Sequence, residues 1–194
     1  FPAKRLKFMD IFLTSTVTVA LAEIGDKTQL LSLLLAARFH NKIALILGIL
    51  AATIINHGLS AWFGDWLSGN FVVEYLPWIV NSSFIVVGLW LLIPDKDEEV
   101  SHKYDCYGAF AVALILFFIA EIGDKTQIAT VLLGAQYQSV LWVTIGTTLG
   151  MLIANVPIIY VGKALLQRIP LKTVRAIAAS VFVILGIHGL MTIY

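Results

Sequence analysis

The string Ala-Glu-Ile-Gly-Asp-Lys-Thr-Gln occurs twice in this chain, at 22–29 and at 120–127, followed by Leu30 in the first copy and Ile128 in the second. Both copies lie inside long apolar runs, so each sets a glutamate, an aspartate and a lysine where a helix in lipid is otherwise greasy. One charge at the bilayer centre costs roughly 2.5–3.5 kcal/mol on the insertion scale, so six left uncompensated cost on the order of 15–20 kcal/mol. A chain tolerates that only when the charges face one another, water or an ion. Packing alone does not ask for four carboxyls at such depth.

Composition agrees with a membrane setting. The 194 residues are 59% hydrophobic and only 13% charged, against about 25% charged in soluble domains. The net charge of +1 hides segregation of charges into loops and the two motifs. No basic face accumulates enough Lys and Arg to neutralise phosphates, which excludes nucleic acid as a partner. Cys106 is the single cysteine, so neither an internal disulfide nor a thiolate metal cluster forms.

A hydrocarbon core about 30 Å thick needs roughly 20 apolar residues per helix. That measure predicts an all-α membrane protein with six spans, at Ile11–Ala37, Ile43–Phe63, Leu76–Ile93, Gly108–Ala135, Val140–Val161 and Val174–Ile193. Gly64-Asp65-Trp66 through Glu74-Tyr75 is expected to separate the second from the third. Pro94 ends the third, and the run Asp95–Glu99 is too charged for lipid. Sliding the sequence by 98 residues superposes Glu23 on Glu121, Gly48 on Gly146, Gly64 on Gly162, Phe84 on Phe182 and Gly88 on Gly186. The chain therefore divides into a first three-helix repeat (1–93), an acidic central loop (94–107) and a second three-helix repeat (108–194). Three spans per half is odd, so the second half enters the membrane from the opposite side. The prediction is a pair of inverted repeats, an arrangement that places ion sites near the midplane. Glu23 and Glu121 lie 12 and 13 residues into their spans, roughly 18–20 Å along a helix.

Lys and Arg in short loops set orientation. Arg38, Lys42, Lys96, Lys103, Lys163, Arg168, Lys172 and Arg175 fall on one side, and Lys4, Arg5 and Lys7 on the other. The first side is expected in the cytoplasm, with both termini outside.

On a continuous helix, residues three apart share a face. Glu23 and Asp26 then project together, as do Glu121 and Asp124, and crossing motif helices would bring all four carboxylates to one cavity. Such hard oxygen clusters suit Ca²⁺, Mn²⁺ or Mg²⁺. Gly25 and Gly123 permit either close helix approach or local unwinding. Thr28, Gln29, Thr126 and Gln127 offer neutral oxygens or supporting hydrogen bonds. Lys27 and Lys125 carry only donors and are no ligands. Each either pairs with a carboxylate or competes with the cation as a gate. Four carboxylates and two lysines leave −2, which one divalent cation or two protons balance, so metal and protons exclude each other at one site. Deep in the second span lies His57, and the 98-residue offset pairs it with Asn155. This position either lines the pathway, where an imidazole ligand tilts preference from Ca²⁺ towards Mn²⁺, or makes an interhelical hydrogen bond.

Two copies of Glu-x-Gly-Asp-(Lys/Arg)-(Ser/Thr), one per half, resemble the signature of the Gdt-type cation/proton antiporters. Glu23-Ile24-Gly25-Asp26-Lys27-Thr28 and Glu121-Ile122-Gly123-Asp124-Lys125-Thr126 match without departure, and the likeness spans essentially the whole chain. The resemblance implies export of Mn²⁺ or Ca²⁺ from the cytosol in exchange for protons, with no cofactor beyond the transported ions. The short chain looks most like the bacterial manganese-exporter branch, in the inner membrane, with Pro94–Asp105 as the family's acidic cytosolic loop. An intramembrane aspartyl protease is the enzyme reading. It fails because Glu23 and Glu121 stand where that motif needs glycine. A cation channel with a carboxylate ring is the alternative transport reading.

Overall fold

The computed structural model describes residues 8–70, 75–94, 108–162, 164 and 170–193. The run 95–107, with Cys106, Lys96 and Lys103, lies outside the described residues, as do Lys4, Arg5, Lys7, Lys163 and Arg168. The described residues form eight helices and no strand. They are α1 (Phe8–Glu23), α2 (Lys27–Arg38), α3 (Lys42–Asn70), α4 (Leu76–Leu91), α5 (Ala109–Glu121), α6 (Lys125–Tyr137), α7 (Val140–Val161) and α8 (Leu171–Met191).

Three of these are long and apolar enough to cross a membrane: α3, α7 and α8, with 29, 22 and 21 residues. The expected first span is not one rod. It is divided into α1 and α2, which meet at a 73° bend and count as a fourth crossing if taken together. The run Gly108–Ala135 is divided in the same way, into α5 and α6. At 16 and 13 residues, α4 and α5 are shorter apolar helices.

The separation expected from Gly64 to Tyr75 begins later than that, because α3 continues to Asn70 and α4 starts at Leu76. Its 29 residues extend about 43 Å at 1.5 Å per residue, well past a hydrocarbon core. Gly64 does not interrupt the helix; it is a packing residue. A Cβ there would run into the Val131 carbonyl oxygen of α6, and one on Gly134 of α6 would run into the Ala61 carbonyl of α3. Helices approach this closely in apolar surroundings when small residues line the seam.

The same device builds the rest of the bundle, and it does so in exchanged pairs. Gly48 of α3 lies against α5, where a Cβ would stand 2.5 Å from the Phe110 carbonyl oxygen and 2.8 Å from Ala113 Cβ. Gly146 of α7 lies against α1, 2.7 Å from the Phe12 carbonyl oxygen and 2.8 Å from Ser15 Cβ. Phe12 and Ser15 are the residues 98 positions before Phe110 and Ala113. α3 thus packs on α5 as α7 packs on α1. At α4 and α8 the pairing closes on itself. Gly88 meets Ala179 and Phe182, Gly186 meets Asn81 and Ile85, and the Phe84 and Phe182 rings sit 6.1 Å apart.

Burial is inverted relative to a soluble domain. Leu59, Val86, Leu141 and Ile184 are more than half exposed, while Glu23, Thr28, Gln29, His57, Glu121 and Asn155 are buried. Large exposed aliphatic side chains over polar interior positions are what contact with lipid requires.

Candidate cation site

Each motif folds as a helix break, and the break depends on its glycine. α1 ends at Glu23 and α2 begins at Lys27; α5 ends at Glu121 and α6 begins at Lys125. Gly25 and Gly123 hold φ of +85° and +74°, a region where a side chain crowds the following carbonyl. Of the two roles open to these glycines, unwinding is the one realised. A Cβ on Gly123 would meet nothing within 4 Å, and one on Gly25 would meet only the side chain of Leu171, 2.8 Å from its Cδ2.

The break leaves orphan N–H groups at the start of each second helix, and the motif's own side chains take them. Asp26 caps α2 and Asp124 caps α6, each accepting from the N–H of the threonine two residues on at 3.3 Å. Gln29 Oε1 accepts from the Gly25 N–H at 2.8 Å, and Gln127 Oε1 from the Gly123 N–H at 2.6 Å. These oxygens, expected as possible ligands, serve the backbone. Glu23 and Asp26 still come together, but through a cap beside a helix end and not through helical spacing.

Three of the four acids converge. One oxygen each of Glu23, Asp26 and Asp124 lies within 4.8 Å of the others, and all three residues are buried. Two oxygens bound to one Ca²⁺ at about 2.3–2.6 Å are at most about 5 Å apart, so this spread fits a single ion. Thr28 Oγ1 donates to Glu23 Oε2 at 2.5 Å, while Glu23 Oε1 has no hydrogen-bond partner although fully buried. Lys27 reaches across to the other copy, its Nζ 3.8 Å from Asp124 Oδ1. Within the triad and this lysine the formal charge is −2, the charge that one divalent cation balances.

Glu121 is not among the acids that share this 4.8 Å spread, although it lies close enough to Glu23 and Asp124 to feel their charge. Glu121 faces α3, where Thr53 Oγ1 donates to it at 3.1 Å and Asn56 Nδ2 at 3.2 Å, and His57 Nε2 lies 3.7 Å away. Asn155, the counterpart of His57, accepts from Ser32 Oγ at 2.8 Å, donates to the Met151 carbonyl at 3.2 Å and reaches the Glu23 carboxylate. Gln29 Nε2 donates to the neighbouring Ala154 carbonyl at 2.9 Å, which ties the first break to α7. Lys125 Nζ donates to the Ile93 carbonyl at 2.7 Å and lies over the Trp90 ring. Thr126 Oγ1 donates to Asp124 Oδ2 at 3.1 Å.

Thr53 escaped the sequence reading. Its signal was available, since Thr53, Asn56 and His57 follow i, i+3, i+4 spacing and share one face of α3. Arg175 also had no part in that reading beyond charge counting. It lies on α8 and donates to the Gly25 carbonyl at 3.2 Å, holding the first break from outside.

Comparison with known proteins gives the same direction. The family model described as divalent cation/proton antiporter GDT1 matches residues 11–99 and 109–194. The chain is 48% identical over 183 residues to a Vibrio cholerae protein named "Putative manganese exporter", covering 92% of this chain and 90% of that one. It is 27% identical over 203 residues to GDT1-like protein 4 of Oryza sativa subsp. indica, covering 91% and 72%. It is also 27% identical over 200 residues to a GDT1-like protein of Synechocystis, covering 91% and 94%. No solved structure matches it.

Proposed function

The chain belongs to the divalent cation/proton antiporter family GDT1, and on that premise we propose that it is a secondary transporter exporting Mn²⁺ or Ca²⁺ from the cytosol in exchange for protons. One observation carries the reading. Three buried carboxylates drawn from both motif copies present oxygens within 4.8 Å of one another, and a fully buried oxygen among them, Glu23 Oε1, accepts no well-formed hydrogen bond. Such a cluster is costly in apolar surroundings unless a cation or protons occupy it. The two occupants compete for the same lone pairs, and that competition couples their movements.

The transport cycle rests on the architecture. α1–α2, α3 and α4 form one three-span half, and α5–α6, α7 and α8 the other, inverted relative to the first. The exchanged glycine contacts support this. Gly48 on Phe110 and Gly146 on Phe12 are one contact repeated with the halves interchanged. Rocking of the halves about the triad then exposes it to each side in turn. The loop 94–107 lies in the cytosol, both termini lie outside, and the membrane is the bacterial inner membrane.

The test is reconstitution into liposomes with an imposed pH gradient, following Mn²⁺, Ca²⁺ and Mg²⁺ separately. The proposal expects metal uptake driven by an outward proton gradient, lost in Glu23→Gln and in Asp124→Asn. Uptake indifferent to the proton gradient identifies a channel instead, and coupled flux surviving both substitutions removes the triad from the mechanism.

A further inference from the structure

His57 is fully buried on α3, and neither Nδ1 nor Nε2 has a hydrogen-bond partner. Buried polar atoms are nearly always paired, so an imidazole orphaned at both nitrogens calls for a partner that protein atoms do not supply. Its Nε2 stands 3.7 Å from Glu121 Oε2, beyond hydrogen-bonding distance. Nitrogen and oxygen ligands each about 2.1 Å from one ion are about 3.0–3.5 Å apart at octahedral to tetrahedral angles. The pair is thus within about 1 Å of the bite of a single cation. Thr53 and Asn56 donate to the Glu121 carboxylate and fix its plane, and a carboxylate with two donors keeps further lone pairs for a metal.

The opposite half presents an amide and no imidazole beside its glutamate. Asn155 occupies the equivalent position, and its amide is engaged by Ser32 and Met151. The molecule therefore presents a nitrogen ligand on one side of its duplicated site only. Ca²⁺ and Mg²⁺ take oxygen ligands, whereas imidazole suits first-row transition metals.

We propose that His57 and Glu121 together bind the transported cation at a position adjoining the Glu23–Asp26–Asp124 triad, and that the His57 nitrogen selects a transition-metal divalent cation, Mn²⁺ in the test below, against Ca²⁺ and Mg²⁺. The inference rests on the transport reading only in taking the bound ion as cargo.

The experiment is pulsed electron paramagnetic resonance of the purified full chain loaded with substoichiometric Mn²⁺, with Mn²⁺/Ca²⁺ competition in liposomes. The expected result is ¹⁴N modulation of the Mn²⁺ echo in the unmodified chain and its loss in H57N, which copies the residue of the other half. The Ca²⁺ concentration that halves Mn²⁺ uptake is expected to fall about 10-fold in H57N, the lower end of effects on metal sites when a supporting group is removed. Should H57N fail to fold, replacing His40, His102 and His188 together by Asn assigns the signal, because modulation that survives belongs to His57. Absence of ¹⁴N modulation in the unmodified chain, its persistence in H57N, or an unchanged Mn²⁺/Ca²⁺ ratio overturns the proposal. A His57-dependent signal without metal-driven proton movement leaves this inference standing and removes the transport reading. Proton-coupled Mn²⁺ flux without a nitrogen signal does the reverse.

Discussion

At the first helix break Asp26 caps α2 and Gln29 takes the Gly25 N–H; at the second, Asp124 caps α6 and Gln127 takes the Gly123 N–H. Inside the motif the two breaks are copies. Outside it they diverge. The first is gripped by α8, through Arg175 on the Gly25 carbonyl and Leu171 against Gly25. Its glutamate keeps one oxygen without a hydrogen-bond partner. The second break has open space at Gly123, and its glutamate is held by Thr53 and Asn56 of α3. Identical local sequence thus fixes identical local backbone, and chemical roles are then assigned by whichever helix packs alongside. The triad itself is unequal, with two oxygens from the first copy and one from the second.

The largest effect that tests this inequality is expected from Asp124→Asn. Asparagine caps a helix about as well as aspartate, so α6 survives while the second copy's only contribution to the triad loses its charge. Transport of Mn²⁺ and Ca²⁺ is expected to fall by more than about 100-fold, beyond the 10–100-fold typical for groups one step removed from a metal. An unchanged melting temperature in detergent, measured alongside flux, separates lost chemistry from lost fold.

Next come the glutamates. Metal binding to carboxylates releases protons, so apparent cation affinity rises with pH as protons are withdrawn from competition. Glu23→Gln is expected to weaken binding by about 10–100-fold and to lower the slope of log affinity against pH by up to one proton. Glu121→Gln is expected to do less overall and to penalise Mn²⁺ more than Ca²⁺. Calorimetric titration in two buffers of different ionisation enthalpy reads both quantities. Equal losses for the two variants would erase the distinction between a triad acid and an outlying one.

How far the sequence alone reaches follows the same line between local and neighbouring effects. The 98-residue repeat, the acids and the glycine positions were legible because each is a statement about the chain along itself. Glycine inside each carboxylate pair marks a weak point, but reading Asp26 and Asp124 as caps needs the unwinding to be chosen over close approach. Gly64 opens the stretch that separates the spans in sequence, yet it is a packing residue whose neighbours, Val131 and Ala135 of α6, are 67 or more residues away. Spacing along the chain cannot say that Glu121 also meets the Thr53–Asn56 face of α3. That depends on Gly48 seating against Phe110 and Ala113, a contact visible only once the helices pack.

The glycines themselves give a smaller and cleaner contrast. Ala at either position is forced to positive φ, which costs roughly 1–2 kcal/mol. At Gly123 that is the whole penalty, since the new methyl group meets open space. Gly25→Ala adds a 2.8 Å encounter with Leu171 Cδ2, the end of a flexible side chain, and is expected to cost a few tenths of a kcal/mol more. Chemical denaturation of each variant in the Leu171→Ala background is expected to equalise them. A difference that persists there would assign the asymmetry to the break itself and not to α8.

The smallest expected effect isolates the grip of α8 on the first break. Arg175 Nη2 donates to the Gly25 carbonyl at 3.2 Å from a partly buried position. A charged donor is worth about 1.5–3 kcal/mol when well aligned, and partial exposure and length reduce this to about 1 kcal/mol. The second copy has proline at the matching place, because Pro77 lies 98 residues before Arg175, so that position carries no side-chain donor. Arg175→Ala is expected to lower stability by about 1 kcal/mol and to speed hydrogen exchange at amides around Ile24–Asp26, leaving those around Ile122–Asp124 unchanged. Exchange that accelerates equally at both breaks would mean that the two motifs open as one unit, and that the asymmetry seen in their surroundings has no counterpart in their motion.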